Sequence, residues 1–271
     1  MTTAIQSDFL EKKMLNHVLR NTAYTKPGTS IYVALHTANP ADTGAGSEVS
    51  ANGTAYARVQ VTAWDNPSTN SHTHNTNAIA WATATGDGFG HVTHIAIWDG
   101  NTGSDNLLFY GELTDHKDVP AGTTFSISAG AITLTLGGAI SAYLAGAWLS
   151  HVLRNTQFNT PGTSVYVALY NSGPTEVSTS GTAYERVACA GTSAWDAPGD
   201  TDGATENTAA ISFPTPTATW GVLTHVGILD GGTEGSDNLL FGPTALDVNT
   251  YEPTTGDVVQ FAIGALDVTV S

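Results

Sequence analysis

Cysteine is nearly absent. Cys189 is the only one in 271 residues, so no intrachain disulfide and no cysteine-built zinc site can form, and stability must come from packing and assembly. Positive charge is scarce as well. Lysine and arginine together number 8 against 24 aspartates and glutamates, and a net charge of -16 leaves too few cations to grip a phosphate backbone. Nucleic acid and anionic membrane are therefore not expected as partners. Charged residues of both signs make up only 12% of the chain, against roughly 25% in ordinary soluble domains. Gly, Ser, Thr, Asn and Ala fill the gap, which predicts a neutral, polar, small-chained surface.

Membrane and export signals are missing too. Residues 119–153 contain no Asp, Glu, Lys or Arg, but Pro120 and several Gly and Ser interrupt the run, which alternates like a strand before it turns helical. No transmembrane span is expected from it. Glu11, Lys12 and Lys13 stand where a signal peptide needs an apolar run, so no Sec-type signal is expected and the chain should be made in a cytoplasm. The Gly-x-Ser-x-Gly elbow, the phosphate-binding Gly-x-x-x-x-Gly-Lys-Ser/Thr loop, His-Glu-x-x-His and a dinucleotide fingerprint are likewise absent. A non-enzymatic protein without a cofactor is the expectation, although the carboxylate pair of a glycosidase would meet only in the fold.

What is present is a sequence written twice. Leu15-Asn16-His17-Val18-Leu19-Arg20-Asn21-Thr22 returns as Leu149-Ser150-His151-Val152-Leu153-Arg154-Asn155-Thr156. Gly53-Thr54-Ala55-Tyr56 returns as Gly181-Thr182-Ala183-Tyr184, and Ser104-Asp105-Asn106-Leu107-Leu108-Phe109 as Ser236-Asp237-Asn238-Leu239-Leu240-Phe241. Each copy has the length of a domain rather than of a solenoid repeat. Two tandem domains are predicted, residues 1–138 and 139–271.

In the first copy Leu10, Met14, Leu15, Val18 and Leu19 recur at helical spacing after a Ser7 or Asp8 cap. Short Val, Ile, Thr, Tyr and Trp segments follow at Ile31 to Leu35, Arg58 to Val61, His91 to Trp98, Asn106 to Tyr110 and Phe125 to Leu136, separated by Gly, Asn, Asp and Pro. The predicted fold is mainly β: two tandem β-sandwich domains, each preceded by one α-helix. The second helix, near 140–154, is apolar almost all round, so it should lie between the domains or against another chain. Ile140, Tyr143, Leu144, Ala147 and Trp148 are the candidate interface.

Duplication also singles out residues kept in both halves. Every arginine is matched, Arg20 with Arg154 and Arg58 with Arg186, which predicts structural ion pairs to Glu48 and Glu176 or to Asp99 and Asp230. The functional counterpart of that reading is an anion or sugar-carboxylate site. His17 with His151 and His94 with His225 read as core histidines that tie loops. His72 and His74 alternate on one strand face and, with His91 nearby, form the metal candidate, opposed by the plainer reading of a surface loop. Cys189 reads as a small core residue. Trp81, Trp98, Trp148 and Trp220 lack a matching Trp; exposed, they would make a carbohydrate platform, and buried they would be core.

The segments Tyr32-Val33-Ala34-Leu35-His36-Thr37-Ala38-Asn39-Pro40, Glu48-Val49-Ser50, Gly53-Thr54-Ala55-Tyr56-Ala57-Arg58 and Asn106-Leu107-Leu108-Phe109-Tyr110-Gly111, together with the helix before them, resemble a family of small structural proteins of tailed bacteriophages. Its members are labelled tail fibre or minor tail proteins. The resemblance extends over both copies and implies a virion structural protein, tail-associated or decorating the head. It implies other virion proteins as partners, homo-oligomeric assembly and assembly in the host cytoplasm. It brings no catalytic or binding residues. The alternative reading is a carbohydrate-binding module that recognises a host-surface glycan.

Overall fold

The structure is a computed structural model that describes residues 2–67, 71–171, 175–199, 203–247 and 251–270. In the first copy β1 (Thr2–Gln6) precedes helix α1 (Asp8–Val18), followed by β2 (Tyr32–His36), β3 (Val59–Gln60), β4 (His72–His74) and β5 (Ile79–Ala80). β6 (Gly90–Trp98), β7 (Leu107–Val119), β8 (Ser126–Ile127) and β9 (Ile132–Thr135) complete it. The second copy runs α2 (Ala142–Leu153), β10 (Tyr166–Asn171), β11 (Thr175–Glu176), β12 (Val187–Ala188), β13 (Ala204–Glu206), β14 (Ile211–Ser212), β15 (His225–Leu229), β16 (Leu239–Ala245), β17 (Gln260–Phe261) and β18 (Asp267–Thr269). The chain is mainly β with two repeated units.

The helix is not the first element of its copy. β1 is too short to show periodicity, and its strand character comes from its neighbours: Thr2 to Ala4 pair in parallel with β9, whereas Ile5 and Gln6 pair antiparallel with β7. β1 thereby joins the two groups of strands into the order β3-β2-β6-β7-β1-β9-β4, and β5 pairs with β8 alongside. Ser7 then turns strand into helix. Its backbone is extended, its hydroxyl accepts from the Leu10 N–H, and it donates to the Leu107 carbonyl at 2.6 Å. Ser141 caps α2 in the same way.

In the second copy the order is β11-β10-β15-β16, with β12 also on β10. The counterpart of β1 is reduced to single bridges from Gly138 to Val270 and from Ile140 to Phe241. The predicted strand from Phe125 to Leu136 is split into β8 and β9, with a left-handed Gly130 (φ 72°) between them. β7 runs well past its predicted end at Tyr110, to Val119. Most buried apolar residues of both copies form one continuous core, from Leu10 and Met14 through Trp148 and Leu149 to Trp195 and Leu240, with small separate clusters around Trp98 and Tyr170. Among the described residues no helix is long and apolar enough to cross a membrane.

Candidate functional site at the joint between the copies

The repeated Leu-Arg-Asn-Thr segment builds the joint. Asn21 and Asn155 end α1 and α2 in the left-handed region, φ 54° and 56°, a conformation that asparagine tolerates better than most residues. Thr22 and Thr156 then return N–H bonds to the carbonyls of Asn16 and Ser150, closing each helix end. The chain folds back on its own helix, so the Tyr24 N–H donates to His17 Nδ1 at 3.0 Å and the Phe158 N–H to His151 Nδ1 at 3.2 Å.

A ring nitrogen that accepts an N–H carries no proton, so each imidazole holds its proton on Nε2. His17 Nε2 donates to the Phe158 carbonyl and His151 Nε2 to the Tyr24 carbonyl, both at 3.0 Å and both across the joint. The arginines repeat the exchange: Arg20 donates to the Trp195 carbonyl at 2.6 Å and Arg154 to the Trp64 carbonyl at 3.1 Å. α2 packs on β4 and α1 on β13. Both matched pairs at the joint thus make the reciprocal contact, the pattern of a two-fold interface built inside one chain.

The His17 and His151 rings lie 5.1 Å apart, and Trp148 stacks on His151 at 5.4 Å and sits 5.5 Å from His17. Burial, with the His151 ring beside it, lowers His17 to about 4. Burial lowers His151 as well, and Lys26 adds to the effect. Gly203 lies against α1 at φ 50°, where a Cβ would collide with the Glu11 carboxylate and the Val270 carbonyl.

Of the candidate interface residues, Leu144 and Trp148 are fully buried inside the chain, Ala147 is half-buried and Ile140 bridges to Phe241. Tyr143 is 42% exposed, and partial burial with the Asp230 charge nearby pushes its hydroxyl up. The apolar side of α2 is therefore turned inward, and Trp148 serves the joint rather than a second chain.

The arginines divide by location. Arg58 forks onto Glu48 at 2.8 and 3.0 Å, donates to the Gly100 and Thr102 carbonyls, and stacks on Trp98 at 4.1 Å. Arg186 forks onto Glu176 at 2.7 and 2.8 Å and reaches Asp237 at 2.8 Å. The Gly-Thr-Ala-Tyr turn supplies the third member, since the Tyr56 and Tyr184 hydroxyls accept from the Leu35 and Leu169 N–H and donate to the same carboxylates. Burial alone would raise Glu48, yet the Arg58 and Tyr56 hydrogen bonds hold it below the usual range. Asp99 and Asp230 instead accept from Asn106 and Asn238. Among the described residues the contacts found for Arg20 and Arg154 are to backbone carbonyls of the opposite copy rather than to a carboxylate.

The metal candidates are not gathered in one place. His72 and His74 are neighbours on β4, with rings 5.1 Å apart and His74 Nδ1 on Asp65 at 3.2 Å. His91 instead starts β6 and pairs with Asp118 at 2.7 Å. Among the described residues no group of three or more His, Cys, Asp or Glu is arranged to hold a metal ion. His94 and His225 share matching hydrogen bonds with the Thr93 and Thr224 hydroxyls at 2.8 Å. Cys189 is buried, which pushes its thiol up to about 11 and leaves it an unreactive core residue. All 6 tryptophans are buried, the most accessible at 5%, so none forms a carbohydrate platform.

The joint was legible only in part. Duplication flagged His17, His151, Arg20 and Arg154, but their acceptors are main-chain carbonyls of the other copy, which leave no mark in a sequence. The reciprocal matching was the available signal. A family model described as Podophage GP4 fiber I protein gp80 matches the chain twice, over residues 6–135 and again over residues 139–269. A comparison with curated proteins gives no match.

Proposed function

The chain belongs to the podophage GP4 fiber I protein gp80 family, and from that premise we propose that it is a non-enzymatic fibre component that works through assembly contacts as a rigid double module. The observation that carries this reading is the reciprocal joint. A continuous core and mutual His and Arg contacts fix the copies in one relative orientation, so the chain can present two similar outer surfaces at a set spacing. Its partners are other virion proteins and further copies of itself, joined in the host cytoplasm before release. The family places it with the virion. A surface poor in charge suits contacts that must hold across ionic strengths, because salt screens exposed ion pairs and leaves apolar and neutral hydrogen-bonded contacts in place.

The glycan-binding alternative has lost its supporting feature, since the tryptophans that would stack on a sugar are inside. The test is quantitative peptide mass spectrometry of purified particles. We expect the chain at a constant small-integer ratio to the other fibre proteins. Particles free of it, or carrying it in amounts that wash away with salt, would contradict the proposal.

A further inference from the structure

The β6–β7 ribbon of the first copy carries an irregularity that the second copy does not share in sequence. Its register jumps from Val92–Lys117 to His94–Glu112, so residues 113–116 of β7 stand opposite Thr93 alone. A bulge of this kind re-aims side chains on the bulged strand. Here it returns His116 to Glu112, with Nε2 to Oε1 at 2.9 Å, while His91 meets Asp118 directly across the ribbon, with Nδ1 to Oδ1 at 2.7 Å.

Each imidazole therefore gives one nitrogen to a carboxylate. A carboxylate only accepts, so the bonded nitrogen carries the proton and the other keeps its lone pair, at Nε2 of His91 and Nδ1 of His116. A carboxylate behind a histidine is the arrangement that orients metal-ligating imidazoles. The two rings are 5.6 Å apart at 86° to each other. Two imidazoles on one ion, with metal–nitrogen bonds of ~2.1 Å, place their ring centres roughly 5–6 Å apart.

The geometry points to a two-histidine surface site for a late first-row divalent cation, zinc or nickel in class, bound by His91 and His116 with Asp118 and Glu112 as positioning residues. Water fills the remaining coordination positions, since among the described residues no third His, Cys, Asp or Glu is arranged to join them. Neutral nitrogen donors favour these metals over calcium or magnesium, which take oxygen. Sequence reasoning grouped His91 with His72 and His74; the fold gives it His116, whose place opposite His91 depends on the bulge. The second copy has Val222 at the position of His91, so one site per chain follows.

The test is isothermal titration of the full chain with zinc chloride, and separately with nickel chloride. One saturable ion per chain is expected, weakened at least tenfold by His91→Ala and by His116→Ala. Asp118→Asn should weaken it less than either, and the double variant His72→Ala with His74→Ala should leave it unchanged. The His91, His116 and Asp118 side chains are exposed, and an unchanged circular dichroism spectrum verifies that each variant folds. Absence of saturable binding, or binding that persists in both His91→Ala and His116→Ala, would overturn the assignment. Loss of the ion in the His72/His74 variant would overturn it as well, by moving the site to β4.

Discussion

Arg58 and Arg186 make the same fork in different surroundings, and the difference predicts unequal effects. The Glu176 side chain is 11% exposed and the Glu48 side chain 28%. Removing a guanidinium abandons the carboxylate, and water can rescue an accessible carboxylate more readily than an enclosed one. Arg186→Ala should therefore cost about 3–5 kcal/mol, the scale for breaking a buried pair, and Arg58→Ala clearly less in urea unfolding. Equal losses would mean that burial of the partner does not set the cost. These forks were readable in the sequence because partner and arginine lie close along the chain, Glu48 with Arg58 and Glu176 with Arg186. Arg20 and Arg154 looked identical in kind, and their cross-copy carbonyls could only be found in the fold.

At the scale of elements, α1 and α2 were legible because apolar spacing and a serine cap are local signals. β1 was not, since its pairing with β7 and β9 is entirely long-range. The extension of β7 was hidden as well, because Thr114 to Asp118 are polar and outward-facing and read as a loop. The inward turn of α2 changes what a substitution there does. Trp148 is wholly buried between the copies, so Trp148→Asp should give insoluble or unfolded protein by size-exclusion chromatography rather than a soluble, assembly-deficient one.

The helix pair also sets a pH dependence. His17 titrates near 4 in the folded chain, against about 6.5 when unfolded. Between those values the unfolded chain binds more protons, so stability is complete above pH ~6.5 and declines as pH falls toward ~4. The same sign holds for His151. Protonation at Nδ1 would also set a ring N–H against the Tyr24 or Phe158 N–H. Thermal unfolding should show a falling Tm across that window, and the double variant His17→Gln with His151→Gln should flatten the slope while lowering stability at pH 7.5. An unchanged slope would remove the histidine pair from the account.

At the scale of the whole molecule, the duplication has produced a single body rather than two beads. The sequence announced two copies, and strand residues that run almost directly into the second helix led to the expectation of a rigid coupling. It did not announce that the coupling would be a two-fold exchange of contacts, which is visible only once Trp195 and Trp64 carbonyls and the two imidazoles are placed. The exchange is reciprocal in its His and Arg contacts, while α1 carries Glu11, Lys12 and Lys13 where α2 has Ala145, Gly146 and Ala147. The most direct measurement is a cryo-EM reconstruction of the parent particle with this chain traced in the density. The account predicts both copies at defined fibre-associated positions, with α1 and α2 in contact and His17 beside His151. Particles without the chain, or copies traced apart with the helix joint open, would contradict it.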